Sequence, residues 1–305
     1  MSLMRFKPML PVDQPLINET GFIHEIKWDG YRALAYLDQG AVSLESRNGR
    51  NLNARFPYLV RRLQENKAQM VLDGEVVAFT EEGRVDFSLL QQAQKSADQI
   101  RYVVFDVLYY LGENLCSKPW HQRRQYLDTL IEGEGLVFLS PLLPWDVQQC
   151  FSFAAEHQLE GIVSKQMDSP YFPGTRSPLW RKQKIKRDLD CIVAGLKVDC
   201  KGVRSMAVGL YQSNEKCLYL GNVGSGLGQV ELDFLRKSVR LLASDHCPLL
   251  NPPKDDGSWI WFRPFLVAEV EYSELTPQKR LRHPVFLRFR LDKKPEDCNM
   301  DGELS

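Results

Sequence analysis

The residues Lys27-Trp28-Asp29-Gly30-Tyr31-Arg32 put an amine at the end of a β-rich run, with a glycine turn directly behind it. A lysine at such a junction can be held facing a pocket. An amine with its ordinary pKa of roughly 10.4 is mostly protonated at neutral pH, and burial or a nearby cation is the usual way to free its lone pair. Lys27 is thus a candidate nucleophile, and Asp29 a second candidate catalytic group in the same turn. The same spacing also describes an ordinary Asp-Gly β-turn with solvated charges, so its meaning depends on its company.

That company follows in order along the chain: Ser46-Arg47-Asn48-Gly49, Asp73-Gly74-Glu75, Phe105-Asp106, Glu160-Gly161-Ile162-Val163-Ser164-Lys165, then Trp180-Arg181-Lys182-Gln183-Lys184. The ordered set resembles the motif series of the covalent nucleotidyltransferases, the superfamily of ATP-dependent DNA ligases, RNA ligases and messenger RNA capping enzymes. It is most similar to the ligase domain of the bacterial non-homologous end-joining DNA ligase. KPML near the start, SPYFPGTRSPLW, LGNVGSG, VAEVEYSELT and LRHPVFLRFRLDK add to that likeness, which covers nearly the whole chain. Each motif alone is weak, whereas their joint order is specific.

The resemblance implies a role for each residue. Lys27 would carry AMP as a phosphoramidate, Glu75 would contact a ribose or a metal, and Glu160 would bind the metal. Mg²⁺ or Mn²⁺ would neutralise charge on the ATP phosphates through oxygen ligands, with Lys165, Lys182 and Lys184 completing the clamp. Phe105 and Val163 would sandwich the adenine. Glu25, two residues before the lysine and so on the same strand face, would read the adenine edge. Arg32 and Arg47 stand where the family contacts ribose or the nick phosphate, a task suited to a guanidinium fork. Arg290, Asp292 and Lys293 match the final motif, which closes over ATP and orients the pyrophosphate, although Leu291 occupies a place that is often acidic. Plainer readings stand beside these: surface ion pairs for the carboxylates, core packing for Phe105 and Val163, solvated faces for the basic residues. The run from Arg181 to Lys186 offers two registers for a lysine, apolar, lysine pattern, either Lys182 with Lys184 or Lys184 with Lys186. In a strand all three would face one side.

Holding such groups requires strands and short helices. FIHEIKWDGYRALAYLDQG, AVSLESRNGR, MVLDGEVVAFTEEG and IRYVVFDVLYYLGE are dense in Val, Ile, Tyr and Phe and predict strands. PYLVRRLQENKAQ, FSLLQQAQ, WHQRRQYLDTLIE and WDVQQCFSFAAEHQ have helical spacing. An α+β first domain follows. From about residue 190, LDCIVAGLKV, SMAVGLYQS, CLYLGNVGSG, FLVAEVEYSEL and VFLRFRL predict five strands, with one helix over ELDFLRKSVRLLA. That set suits an oligonucleotide-binding (OB) β-barrel. The expected organisation is an adenylation (nucleotidyltransferase) domain with mixed or antiparallel sheets over 1–188, then an OB-fold domain over 189–305.

Lys plus Arg and Asp plus Glu both number 39, so net charge gives no hint of a polyanionic partner. Basic residues nevertheless cluster at Arg176, Arg181, Lys182, Lys184, Lys186 and Arg187, and again at Lys279, Arg280, Arg282, Arg288 and Arg290. Such clusters suit sequence-independent phosphate contacts with nicked duplex DNA. The seven cysteines include no Cys-x-x-Cys pair, which points to a reducing cytoplasm, and the resemblance implies that this is the bacterial cytosol or nucleoid. The start lacks the apolar core of a signal peptide and no run is long enough to span a bilayer, so a soluble protein with no membrane partner is expected. By resemblance, a Ku-type end-binding protein and a separate repair polymerase are the candidate partners, because 305 residues leave no room for polymerase or nuclease domains. The whole reading is nick sealing: ATP adenylates Lys27, AMP passes to a 5′-phosphate, and a 3′-hydroxyl expels it. The rivals are an RNA ligase or capping-type guanylyltransferase, and a non-catalytic DNA-binding scaffold.

Overall fold

The computed structural model describes residues 3–16, 19–91, 97–131, 135–212, 216–254, 256–276 and 278–300. Of the segments predicted above, residues 92–94, Glu132 and Ser213 lie outside them. The chain divides into two compact units, Met1–Ile185 and Lys186–Ser305. No helix among the described residues is long and apolar enough to cross a membrane.

The first unit begins β1 (Leu10–Asp13), β2 (Phe22–Ile26), β3 (Tyr31–Asp38), β4 (Ala41–Ser46), α1 (Pro57–Gln64), β5 (Met70–Ala78), α2 (Phe87–Gln91) and β6 (Ile100–Tyr110). It continues with β7 (Glu113–Asn114), α3 (Trp120–Leu130), β8 (Val137–Leu139), β9 (Leu142–Leu143), α4 (Val147–Glu156), β10 (Gly161–Gln166) and β11 (Arg176–Lys184). Two sheets result. One has five strands in the order β1-β11-β10-β2-β9, and the other six in the order β4-β3-β5-β6-β7 with β8 beside β6. Both are antiparallel except where β1 meets β11 and β8 meets β6.

Period-two alternation decides what each strand offers to each side. Along β3, Ala33, Ala35 and Leu37 join one core with Leu59 and Leu63 of α1 and Leu127 of α3. Leu34 and Tyr36 point the other way, into a second core with Met9, Phe105, Tyr171 and Trp180. Arg32 shares the parity of Leu34 and so faces the second core's side. In β6 the pairing jumps from Asp73↔Asp106 to Gly74↔Val104, which leaves Phe105 as an extra, unpaired residue. Such a bulge bends the strand and re-aims a side chain.

The strand expected to carry Lys182, Lys184 and Lys186 together ends at Lys184. Ile185 packs against the cluster of Leu143, Cys150, Ala154 and Ile162, and its N–H donates to the Glu160 carbonyl (3.0 Å). Lys186 opens the second unit and pairs there with Glu271.

That unit contains β12 (Arg187–Asp199), β13 (Gly202–Gln212), β14 (Lys216–Val223), α5 (Gln229–Leu242), β15 (Ala243–Ser244), β16 (Trp259–Phe262), β17 (Val267–Tyr272), β18 (Glu274–Leu275), β19 (Leu281–Arg282) and β20 (Val285–Phe289). β12 pairs with β13 on one edge and with both β17 and β16 on the other. A bridge from Ser225 to Val285 brings the end of β14 to β20, which curls the sheet around one apolar core, as an OB-type barrel requires. β16 and three two-residue strands exceed the five strands predicted. Trp259 and Trp261 of β16 stack 5.1 Å apart, and Trp261 packs on the bare backbone of Gly195.

A fully buried ion pair fastens α3 to the second sheet. Arg123 donates through Nε and Nη2 to both oxygens of Asp106 (2.7 and 2.8 Å), and through Nη1 to the carbonyls of Lys118 and Ser169. Asp106→Ala would leave that guanidinium buried without its carboxylate. The expected loss is about 3–5 kcal/mol of unfolding free energy, read from urea denaturation; a loss under about 1 kcal/mol would show that water reaches Arg123.

Candidate active site

Between the two sheets of the first unit lies a pocket to which each sheet contributes one wall. Pro11, Glu25, Ile26, Val163, Lys165 and Trp180 line it from the five-stranded sheet, and Arg32, Glu75 and Phe105 from the other. Lys27 and Trp28, on the link from β2 to β3, complete it. The link is short and tight for a steric reason: a Cβ on Gly30 would come within 2.1 Å of the Val76 carbonyl oxygen. Gly161 is equally confined, with positive φ and the Gln183 carbonyl 2.0 Å from where a Cβ would sit.

At one end Lys27 Nζ hydrogen-bonds Glu160 Oε2, and Lys184 Nζ lies 2.9 Å from the other Glu160 oxygen. Burial pushes the Glu160 carboxyl up, but the two ammonium groups outweigh it and hold it below its ordinary value. Glu75 behaves oppositely. Burial raises it to about 8, the charges of Arg32 and Lys27 only partly opposing, and the Glu160 charge adds to the rise.

At the other end Lys165 Nζ meets Glu25 Oε1 at 2.7 Å, with both side chains almost wholly buried. The Phe105 and Trp180 rings each have their centroids 4.5 Å from that ammonium. Arg32 gives Nε and Nη2 to the two oxygens of Asp73, both at 2.6 Å, and its guanidinium stands 4.5 Å from the Phe105 centroid.

Of the residues expected at the site, Glu25, Lys27, Arg32, Glu75, Phe105, Val163 and Lys165 line this pocket, Glu160 and Lys184 meet Lys27, and the others stand elsewhere. Lys165 is not with Lys27 and Lys184: its position on β10, diagonal to Glu25, sends its ammonium to the Glu25 end. Lys182 lies opposite Val163 on the same sheet face but pairs with Asp13 (3.2 Å) and is not a pocket wall. Arg47 is exposed in the turn after β4 and also falls outside the wall. Arg32 lines the pocket with two of its nitrogens already committed to Asp73. Asp29 is partly buried beside the pocket without lining it. Arg290 and Lys293 belong to the second unit, where both donate to Asp190 (2.7 and 2.9 Å), and Asp292 accepts from Arg290 (2.9 Å). Of the second basic cluster, Arg282 pairs with Glu274 and Arg288 with Glu269, so acids offset much of that charge.

Sequence reasoning passed over Trp28, Asp73, Trp180 and Asp190. Trp180 and Asp73 stood inside quoted motifs, where a large aromatic and a second acid were available signals. Nothing local to Asp190 marked it, since its partners lie about a hundred residues further on.

Comparison with known proteins places these features in a family. The family model described as "ATP dependent DNA ligase domain" matches residues 8–184, and "ATP dependent DNA ligase C terminal region" matches residues 199–293. The chain belongs to the ATP-dependent DNA ligase family. Among its relatives is the multifunctional non-homologous end joining DNA repair protein LigD of Mycobacterium tuberculosis (strain H37Rv), 37% identical over 90% of this chain. That match spans 36% of the length of LigD. DNA ligase C1 of Mycolicibacterium smegmatis is 31% identical, over 97% of this chain and 92% of its own length. The crystal structure of the ligase domain from M. tuberculosis LigD superposes with a TM-score of 0.57 at 34% identity, covering 96% of this chain and 97% of that domain. In this ligase chain the most perturbed carboxyl of the pocket is thus one of the motif glutamates, Glu75.

Its perturbation has a consequence for stability. The folded-state value lies above the unfolded one, so between about pH 4.5 and pH 8 the native protein holds a proton that the unfolded chain has lost. Stability from this group is present below that window and declines as pH rises through it. In EDTA, Glu75→Gln is expected to flatten the fall in unfolding free energy from pH 5 to pH 8. An equally steep fall in both proteins would assign the effect to another group.

Proposed function

We propose that this chain seals nicks in DNA by carrying AMP on Lys27. The observation that carries the reading is the Lys27 amine at the mouth of an aromatic-walled pocket, paired with Glu160 and beside Glu75. ATP is the nucleotide, its base entering toward Phe105, Val163 and Trp180 and its α-phosphate lying against Lys27. Attack by the deprotonated Nζ forms the phosphorus–nitrogen bond and breaks the bond to pyrophosphate. AMP then passes to a 5′-phosphate, and a 3′-hydroxyl closes the strand and releases AMP.

Glu75 and Glu160 offer two hard oxygen donors, and no group of three or more His, Cys, Asp or Glu among the described residues could hold a metal by itself. That donor set fits Mg²⁺ or Mn²⁺, which takes its remaining ligands from water and substrate phosphates. Bound there, the ion would supply charge neutralisation at the phosphate. The residues' own work is to keep Lys27 and Lys184 converged on Glu160 and to hold Arg32 rigid through Asp73. Arg290 and Lys293 serve the pyrophosphate, with Asp190 holding both side chains until it arrives. A role in end-joining repair, with a Ku-type protein and a separate polymerase as partners in a bacterial cytosol or nucleoid, is part of the same proposal and is supported by the likeness to LigD.

Incubation with ATP and Mg²⁺ is expected to add one AMP to the protein by intact-mass spectrometry, and Lys27→Ala to abolish both the adduct and nick sealing. A full-yield adduct in that variant would move the nucleophile elsewhere. The variant carrying Arg290→Ala and Lys293→Ala is expected to lose adduct formation from ATP by at least about a hundredfold, roughly the worth of charged groups aimed at developing charge. It should still join a nick adenylated chemically beforehand, because no pyrophosphate leaves in that step. Equal loss in both assays would assign the pair to DNA binding or folding.

A further inference from the structure

Lys165 has no duty in the phosphate chemistry just described, yet it is one of the largest side chains that the protein buries completely. Its ammonium donates to Glu25 Oε1 (2.7 Å) and toward the Phe105 carbonyl (3.4 Å), which the bulge in β6 leaves outside the regular ladder. The rings of Phe105 and Trp180 each have their centroid 4.5 Å from the ammonium. Burial pulls the Lys165 amine below its ordinary value, with Glu25 and Asp106 opposing. Removing either member of this pair would leave the other charge in a site nearly closed to water.

We propose that Lys165 is a positioning residue for nucleobase choice: its ammonium fixes the Glu25 carboxylate in one orientation, so that the pocket accepts adenine and rejects guanine. The proposal rests on the reading that this pocket takes the base of ATP. An ionised carboxylate only accepts hydrogen bonds. Adenine presents an exocyclic amine at its six-position, which donates, whereas guanine presents a carbonyl oxygen there, which accepts. A carboxylate fixed at the pocket wall therefore attracts one base and repels the other. Without the ammonium, Glu25 loses the donor that fixes it, and its carboxylate no longer meets the base edge in one orientation. Specificity built from a buried hydrogen-bonding group is the strong kind, because the wrong partner leaves that group unpaired. Lys165 itself need not touch the nucleotide.

The test is calorimetric binding of ATP and of GTP in EDTA to the wild-type protein and to Lys165→Met, with the thermal midpoint of each recorded. Wild type is expected to prefer ATP, and Lys165→Met to reduce that preference by about ten- to a hundredfold, the worth of one charged hydrogen bond. An unchanged ATP-to-GTP ratio with a lowered thermal midpoint would show that Lys165 only neutralises a buried acid, and would overturn the proposal. If Lys165→Met does not fold, the variant carrying Glu25→Gln and Lys165→Met leaves no buried charge behind and takes its place. It is expected to bind the two nucleotides within about threefold; an intact ATP preference in it would overturn the proposal. So would equal or absent binding of both nucleotides by the wild type. Covalent labelling is a separate readout: a wild type that prefers ATP in binding but forms no adduct would defeat the lysyl-AMP reading and leave base choice by Lys165 standing.

Discussion

Asp73 sits on β5 with no exposure to solvent and accepts from three donors: the Nε and Nη2 of Arg32 and the hydroxyl of Tyr171, all at 2.6 Å. Tyr171 in turn accepts from the Met9 N–H at 2.8 Å, just before β1. One buried carboxylate thus gathers β3, β5, the entry to the first sheet and the loop before β11. Burial pulls the Arg32 guanidinium down, but Asp73 outweighs it and keeps the group charged. A buried pair of this kind adds little net stability, because desolvation offsets the attraction. Its effect is on geometry: with both ends of the fork used, Arg32 can stand in only one place against Phe105 and Trp180. The pocket inherits its shape from that constraint.

Within the pocket, two lysine–glutamate pairs of similar chemistry do different things because their burial differs. Lys27 and Glu160 are each about a fifth exposed, and Lys184 shares the carboxylate, so this acid can exchange partners when a polyanion or a cation arrives. Lys165 and Glu25 are each 2% exposed at the side chain, and separation there would strand a charge in an apolar wall. One pair is suited to chemistry and the other to holding a shape. Glu75, on the opposite sheet, has too little positive charge near it to offset its burial, and its carboxyl is raised to about 8.

The second unit applies the same rule to basic residues. Arg282, Arg288, Arg290 and Lys293 would make an electropositive face if counted along the chain. In the fold each has an acid against it, and Asp190 alone receives both Arg290 and Lys293. Any anion approaching these cations would have to compete with the carboxylates that already hold them.

The sequence by itself determined the long strands and the main helices, because alternation such as that of β3 and helical spacing such as that of α1 are local properties that neighbours a few residues apart can express. It also marked part of the candidate site, since Lys27, Glu75, Phe105 and Glu160 are chemically distinctive and occur in a particular order, whereas Trp28 and Trp180 went unmarked. The tertiary structure decided what those groups touch. Lys165 reads as one more phosphate lysine until β10 lies against β2 in a register that brings it diagonal to Glu25. Lys186 reads as a strand neighbour of Lys184 until Ile185 is drawn into an apolar cluster and the strand stops. Asp190 carries no local signal at all, because its partners arrive through the pairing of β12 with β17 and of β17 with β20. The physical reason is the same in each case: a charge's role is set by its desolvation and by the partner within about 3 Å, and both depend on residues that are distant in the chain.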